Sequence, residues 1–183
     1  MRPTPVQPPP ESRHARFEAL AGEVWLPLQR FLARRSAPHD AEDVLSEVLL
    51  VLWRRIDDVP ADGALPYAYA VAHRCLANAR RGQERRLTLL RRLRDEPPAG
   101  SRSDADPGLA AALTRLRPGE QEVLRLWAWE GLEAKDIAVV LDITANAAAV
   151  RLSRARAALR DQLGKDLAAA GQRTSREEEV PGR

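Results

Sequence analysis

The 183-residue sequence has one cysteine and few aromatic residues, and these scarcities exclude several kinds of protein. A single cysteine, Cys75, forms no internal disulfide framework, and three scattered histidines give no cysteine–histidine metal site. No apolar run approaches the length of a membrane span, and the proline-rich opening lacks the apolar stretch of a signal peptide. We therefore expect a cytoplasmic protein in a reducing compartment, with no membrane insertion.

The sequence also lacks the residue arrangements that carry catalysis. It shows no nucleophile beside a base, no paired carboxylate site and no glycine loop for phosphate, so we expect neither an enzyme nor a bound cofactor or metal. Lysine is scarce as well, since only Lys135 and Lys165 stand among the 29 basic residues. Arginine forks suit phosphate, although a GC-rich genome would produce the same excess.

Charge is abundant and unevenly distributed along the chain. Residues 40–62 carry seven acids against two arginines, whereas residues 74–94 carry eight arginines against one acid. The overall net charge of +3 hides this contrast. One segment therefore favours a basic partner, and the next favours phosphate.

Apolar residues recur at spacings of three and four, and period-2 alternation is missing, so the sequence predicts an all-α protein. Proline, glycine, serine and aspartate fill residues 95–108 and predict a flexible linker. The linker separates two small helical domains, residues 15–94 and residues 109–170. The termini, residues 1–14 and 171–183, have too little apolar content to fold and are predicted to be disordered.

In the first domain we expect three helices. The first covers about residues 15–35, with Pro27 as a possible kink, and Asp40 caps the second. Pro66 is expected to be the first residue of the third helix, which passes a weak point at Gly82 and continues toward Arg94. In the second domain, short helices are expected over residues 109–116 and 120–129, the latter closed by Gly131.

Residues 133–159 have the layout of a helix-turn-helix, with a short helix, a tight connection at Asp142 and Ile143, and a longer helix capped by Thr144. Ala148, Leu152, Ala155 and Leu159 share one stripe that should face the core. The opposite face near the helix start should meet the major groove of DNA, where small residues let the backbone approach. The alternative is an ordinary helical hairpin with a solvated basic face.

Two further segments carry weaker signals. In residues 66–86 two tyrosines precede a dense run of arginines, a combination suited to single-stranded nucleic acid because bases stack on rings while arginines follow the backbone. Tyrosines at helical spacing are also common in protein cores. Residues 40–55 place acids opposite an apolar stripe, which suits docking of a basic protein but is also typical of a plain solvated face.

Taken together, these segments resemble the bacterial RNA polymerase sigma factors of the extracytoplasmic-function type, which belong to the sigma-70 family and contain regions 2 and 4. The resemblance rests on Asp40–Arg55, on Pro66–Arg81 and, in region 4, on Leu113–Leu116, Glu122–Leu124, Trp129–Leu132, Asp136–Ala138 and Val150–Arg156. It departs from the family at Tyr67, where many members have tryptophan, at His73, where the residue is often arginine, and at Ala149, where some relatives carry arginine. Contacts to bases at Ala149 therefore stay open.

The resemblance implies three sets of contact residues. Docking on the clamp of core RNA polymerase is implied for Asp40, Asp43, Glu47, Leu50 and Arg54. Recognition and melting of the minus-10 promoter element is implied for Tyr67, Tyr69, His73, Arg74, Asn78, Arg80, Arg81, Arg85 and Arg86. Recognition of the minus-35 duplex is implied for Lys135, Thr144, Asn146, Ala147, Val150, Arg151 and Arg154.

The expected partners are core polymerase, through its clamp and flap, and promoter DNA, with an anti-sigma factor as a candidate regulator. The main alternative is a stand-alone helix-turn-helix regulator that binds duplex DNA with a helical dimerisation domain, and a more distant one is a helical adaptor. The first domain separates these hypotheses. A dimerisation domain has no need for an acidic docking helix followed by a helix of aromatics and arginines.

Overall fold

The computed structural model describes residues 10–91 and 107–177, and within these two segments the chain is helical and contains no strand. The prediction of an all-α fold is confirmed. The chain divides into two compact units, the first built from three long helices and the second from four. The described helices are α1 (Pro10–Ala33), α2 (Pro38–Arg54), a short 3₁₀ helix (Ile56–Asp58), α3 (Ala64–Arg91), α4 (Pro107–Thr114), α5 (Pro118–Ala128), α6 (Ala134–Leu141) and α7 (Ala145–Glu177).

The core of the first unit lies where α1, α2 and α3 pack against one another in pairs. Each helix supplies one apolar stripe because its buried positions recur every three or four residues. The buried residues include Val24, Leu28, Phe31, Leu32, Val44, Val48, Leu52, Ile56, Ala68, Ala72 and Leu76. The opposite faces of α2 and α3 are left on the surface, where their charged residues lie.

Helix α1 begins at Pro10, so its first five residues lie within the segment 1–14 that the sequence predicts to be disordered. Contacts to the 3₁₀ helix and to the end of α2 hold the first turns of α1 in place. Arg16 donates from Nη1 to the Asp57 carboxylate at 2.9 Å and from Nη2 to the Ile56 carbonyl at 3.1 Å. The Phe17 ring meets Trp53 edge-on at 5.3 Å. Residues 1–9 lie outside the described residues.

Prolines shape these helices differently from the prediction. Asp40 does not cap α2, because the helix begins at Pro38 after Ala37, and Asp40 instead places its charge in the first turn. Proline suits that start because its missing N–H has no helical partner there. Pro27 lies inside α1 without ending it. Helix α3 starts two residues before Pro66 and continues through Gly82 to Arg91.

In the second unit, α7 packs against α4 and α5. Helix α5 starts at Pro118, where the Glu120 carboxylate accepts the Arg117 backbone N–H at 3.0 Å. Gly131, at φ +67°, follows the end of α5 as predicted. Of the predicted linker, residues 95–106 lie outside the described residues, whereas Pro107 and Gly108 belong to α4.

Helix α7 extends to Glu177, beyond the predicted domain end at residue 170. Residues 171–177, which the sequence predicts to be disordered, therefore belong to α7, and residues 178–183 lie outside the described residues. The sequence from 166 to 177 contains three alanines and two arginines, which favour helix, and its one glycine costs only about 1 kcal/mol.

Candidate functional site

The connection between α6 and α7 is a tight turn that sets the direction of the longer helix. Asp142 adopts φ +53°, and the Ile143 N–H donates to the Ala138 carbonyl at 3.0 Å, which closes the end of α6. Thr144 Oγ1 then accepts the Ala147 N–H at 3.1 Å. The predicted cap at Thr144 is confirmed, as is the tight connection before it.

Helix α7 buries the stripe that the sequence predicts. Ala148, Leu152 and Ala155 are buried and Leu159 is half-buried. The face turned away from this stripe carries Thr144, Asn146, Val150, Arg151 and Arg154, all exposed, and the half-buried Ala147.

This outward face combines small, apolar and cationic groups near a helix N-terminus. Val150 is 39% exposed, which leaves its methyl groups free to contact a base edge. Ala149 is exposed and adds no bulk. The dipole of α7 makes its N-terminus attractive to phosphate. The face therefore has the composition and shape that insertion into a major groove requires.

Lys135 lies on the exposed surface of α6, where its ammonium pairs with Glu133 at 3.3 Å. Both side chains are largely in water, so the pair contributes little stability. Lys135 can exchange this partner for a phosphate at small cost.

The two tyrosines of α3 lie in different environments, although both were predicted to stack on bases. Tyr67 is half-buried. Tyr69 is 3% exposed, and its ring packs against Phe31 with 4.9 Å between centroids. In this structure the Tyr69 ring lies in the core, where it offers no face to a base.

The arginines of α3 form hydrogen bonds within the protein. Arg74 Nε donates to the Ala70 carbonyl at 3.2 Å, and Arg85 Nε donates in the same way to Arg81 at 3.2 Å. Arg81 donates to the side-chain oxygen of Asn78. A guanidinium has five N–H donors, so each of these arginines keeps N–H donors that can bind phosphate.

Arg80 differs from its neighbours because it reaches another helix. Its Nη2 donates to the Arg35 carbonyl at 2.8 Å, just after the end of α1. This bond ties α3 to α1, so Arg80 has a structural role that the sequence did not indicate. His73 is half-buried, and the side chain of Arg86 lies outside the described residues.

The outward face of α2 carries the residues predicted to dock a protein. Asp43, Glu47 and Arg54 are exposed and Asp40 is half-exposed. Leu50 is 52% exposed between them. Spacings of three and four place Asp43, Glu47, Leu50 and Arg54 on one stripe, which we call the α2 stripe.

Trp53 belongs beside the α2 stripe but was not among the predicted docking residues. It is 37% exposed, one helical turn beyond Leu50. Phe17 packs on its ring, and the Arg13 guanidinium lies 5.7 Å from the ring centroid. The i, i+3 spacing from Leu50 was the signal that could have identified it. The exposed Trp53 ring and the Leu50 methyl groups give the stripe an apolar centre next to its acids.

Cys75, on the buried side of α3, is coupled to the α2 stripe. Burial raises the pKa of its thiol to about 11, and the charge of the Glu47 carboxylate and a hydrogen bond to it act in the same direction. The thiol therefore stays protonated at neutral pH. Nothing in the sequence indicated this contact.

Within residues 10–91 and 107–177 no helix is long and apolar enough to cross a membrane. The same part of the chain contains no group of three or more histidine, cysteine, aspartate or glutamate residues placed to hold a metal ion.

Comparison with solved structures shows the same arrangement of helices in other proteins. A chain of the complex of sigma factor RpoE with anti-sigma factor NepR from Bartonella quintana is 21% identical, with 81% of this chain and 96% of that chain covered and a TM-score of 0.61. A chain of the complex of CnrH with the cytosolic domain of CnrY is 25% identical, with 82% and 88% covered and a TM-score of 0.56. The PhyRSL–NepR complex from Sphingomonas sp. Fr1 gives 19% identity, 79% and 87% coverage and a TM-score of 0.58.

Family models identify both units. Residues 17–86 match the model of sigma-70 region 2, and residues 108–159 match the model of sigma-70 region 4. Together the two matches cover more than half of the chain, and no curated protein sequence matches it significantly. Region 2 followed by region 4 places the chain in the sigma-70 family of RNA polymerase sigma factors, with the arrangement of the extracytoplasmic-function type.

Proposed function

We propose that this sigma factor directs promoter recognition by reading duplex DNA at the minus-35 element with α7 and holding the melted minus-10 strand on α3. The observation that carries the proposal is the division of α7 into two faces. Its stripe of Ala148, Leu152 and Ala155 is buried, and Asn146 and Arg151 lie on the exposed side. A helix held in this way presents its N-terminal half to a major groove.

On α7 we propose that some side chains contact bases and that other groups contact phosphates. Arg151 and Arg154 supply planar donor forks that suit guanine edges or phosphates. Asn146 and Val150 supply an amide and methyl groups for other base edges. Thr144, Ala147 and the first-turn amides lie where a phosphate would approach, and Lys135 on α6 supplies a second phosphate contact.

On α3 we propose that Tyr67 supplies a stacking face, with His73 and Asn78 on the same helix as polar contacts. The exposed arginines Arg74, Arg81 and Arg85 follow the backbone of the displaced strand, and Arg86 continues their series in the sequence. Unstacking a base costs a few kcal/mol, and each stacking contact returns about 1 to 3 kcal/mol. Strand capture by this helix then drives melting with no catalytic group.

For the α2 stripe we propose a basic partner, the clamp of core RNA polymerase. Asp43 and Glu47 provide the charge and Leu50 the apolar centre of the contact. We place region 4 on the flap of the polymerase. The solved complexes of RpoE with NepR and of CnrH with CnrY support a further proposal, that an anti-sigma factor holds this protein inactive.

A cytoplasmic location follows from this role, because core polymerase and promoter DNA are there. The match of residues 17–86 to region 2 favours a sigma factor over a stand-alone regulator, which would use its first domain for dimerisation.

Capture of core polymerase tests the docking proposal. We expect the wild-type chain to retain core polymerase, and the Asp43→Lys, Glu47→Lys double variant to retain much less, because both reversed charges face a basic surface. Glu23→Lys, a reversal at an exposed acid of α1, is the matched control and should behave as wild type. Equal capture by the double variant and the control, with unchanged thermal melting, would refute docking through the α2 stripe.

A further inference from the structure

Arg156 lies on α7 with its guanidinium carbon 3.9 Å from the centroid of the Trp127 ring. Trp127 belongs to the last turn of α5 and is 40% exposed. A planar guanidinium at this distance stacks on the ring, and the contact is both cationic and dispersive. Arg156 is thereby engaged within region 4, although its position in the sequence suggested a phosphate contact or plain solvent.

The stack lies beside the buried contact that joins the same two helices. Leu152, one turn before Arg156 on α7, is buried, and both residues line a groove with Trp127 and Leu132. Leu152 belongs to the buried stripe that holds α7 against the core, and Arg156 adds an attachment outside this stripe, about 6 Å further along the helix axis, four residues at 1.5 Å each. An attachment to one side of the buried stripe restricts rotation of the helix about its own axis.

The direction of α7 decides where its groove-facing residues point. Arg151 and Arg154 lie on the exposed face within the same two turns as Leu152 and Arg156. Their long side chains amplify a small rotation of the helix, and bidentate hydrogen bonds to a base edge tolerate little misplacement.

We propose that Arg156 is a positioning residue for recognition of duplex DNA, acting through the Trp127 ring to hold α7 at the angle from which Arg151 and Arg154 meet bases. It is not itself a phosphate contact. The proposal rests on the proposed function, in which α7 reads the minus-35 duplex.

The test uses the full chain bound to core polymerase and compares promoters with a matched and a scrambled minus-35 element across a salt series. Arg156→Ala and Arg156→Lys should both reduce preference for the matched element by about three- to tenfold, because alanine and lysine both lose the planar stack. The salt dependence of binding should stay as in wild type. Arg160→Ala, at an exposed arginine one turn further along, should leave the preference unchanged.

The opposite pattern identifies a phosphate contact. If lysine restores wild-type binding, and alanine weakens binding equally on both promoters while lowering the salt slope by about one, Arg156 contacts phosphate and the proposal is overturned.

A second experiment tests whether Arg156 acts through the Trp127 ring. Trp127→Leu should reduce promoter preference as Arg156→Ala does, and the double variant should lose little more, because both single changes remove the same contact. Thermal unfolding of the free wild type, the two single variants and the double variant should show the same non-additivity.

Independent effects of the two single changes would overturn the proposal. Coupling in the free protein without any change in promoter preference would overturn the positioning role alone, whereas a wild-type protein with no preference for any minus-35 sequence would refute the proposed function.

Discussion

Tyr67 and Tyr69 lie two residues apart on α3, and the helix turns them toward different surroundings. Tyr69 fills the core against Phe31, and Tyr67 stays half-buried at the rim. Tyr69→Ala should therefore destabilise the protein by about 3 to 5 kcal/mol, as removal of a buried aromatic ring does. Tyr67→Ala should leave thermal melting nearly unchanged and instead reduce opening of the promoter.

Denaturant unfolding and permanganate reactivity of melted thymines measure these two effects separately. Phenylalanine at either position serves as the control, since it keeps the ring. A Tyr67→Ala protein that melts promoters as well as wild type would remove the stacking role from α3.

Cys75 gives a pH-dependent prediction at the residue scale. Because burial and the Glu47 carboxylate raise the pKa of its thiol to about 11, the native protein should react very slowly with thiol reagents at pH 7 to 8. The unfolded chain ionises at its ordinary pKa of 9.0, so folding stability should fall as the pH rises from about 9 to about 11.

Rates of thiol labelling with and without denaturant test whether Cys75 is protected in the native protein. Cys75→Ala should remove the contribution of this thiol to the loss of folding stability at high pH. Fast labelling of the native protein at neutral pH would show that the thiol is neither buried nor held by Glu47.

At the scale of elements, the turn between α6 and α7 depends on one residue with left-handed backbone geometry. Asp142 adopts φ +53°, a conformation that glycine accepts freely and aspartate tolerates, but that crowds a β-branched side chain. Asp142→Gly should keep stability within about 1 kcal/mol of wild type, and Asp142→Val should lower it by about 1 to 2 kcal/mol. Urea unfolding provides the comparison, and equal stability of both variants would contradict this role for the turn.

The helices were predictable because apolar residues that recur every three or four positions form the face that a helix buries. The stripe of α7 and its cap at Thr144 are as the sequence predicts, since a cap and its helix are local in the chain. Helix ends were less predictable: Asp40 has the chemistry of a cap, but α2 begins at Pro38. The ordered start of α1 depends on Asp57, which is distant in sequence.

Individual side chains of the site were predictable only where local spacing decides their environment. The outward position of Arg151 follows from the helical period, and the structure agrees. The burial of Tyr69 depends on Phe31, and the bond from Arg80 depends on the end of α1, two contacts between helices that no local pattern encodes. The stack of Arg156 on Trp127 is of the same kind.

At the scale of the whole molecule, charge is divided between surfaces with different proposed partners. The acids of residues 40–62 include Asp43 and Glu47 of the α2 stripe, and the arginines of residues 74–91 follow on α3. Under the proposed function, this division would let a basic protein surface and a polyanion bind neighbouring helices without competing for the same residues. Region 4 would then add a second DNA contact, so that one molecule binds both promoter elements.

Run-off transcription with core polymerase on a library that varies the minus-35 and minus-10 elements tests the central claim most directly. We expect initiation from a narrow set of templates that share both elements. We also expect Arg151→Ala to weaken discrimination at one minus-35 position by about 1 to 3 kcal/mol while the minus-10 preference persists. Absence of initiation with core polymerase, or initiation that ignores both elements, would contradict it.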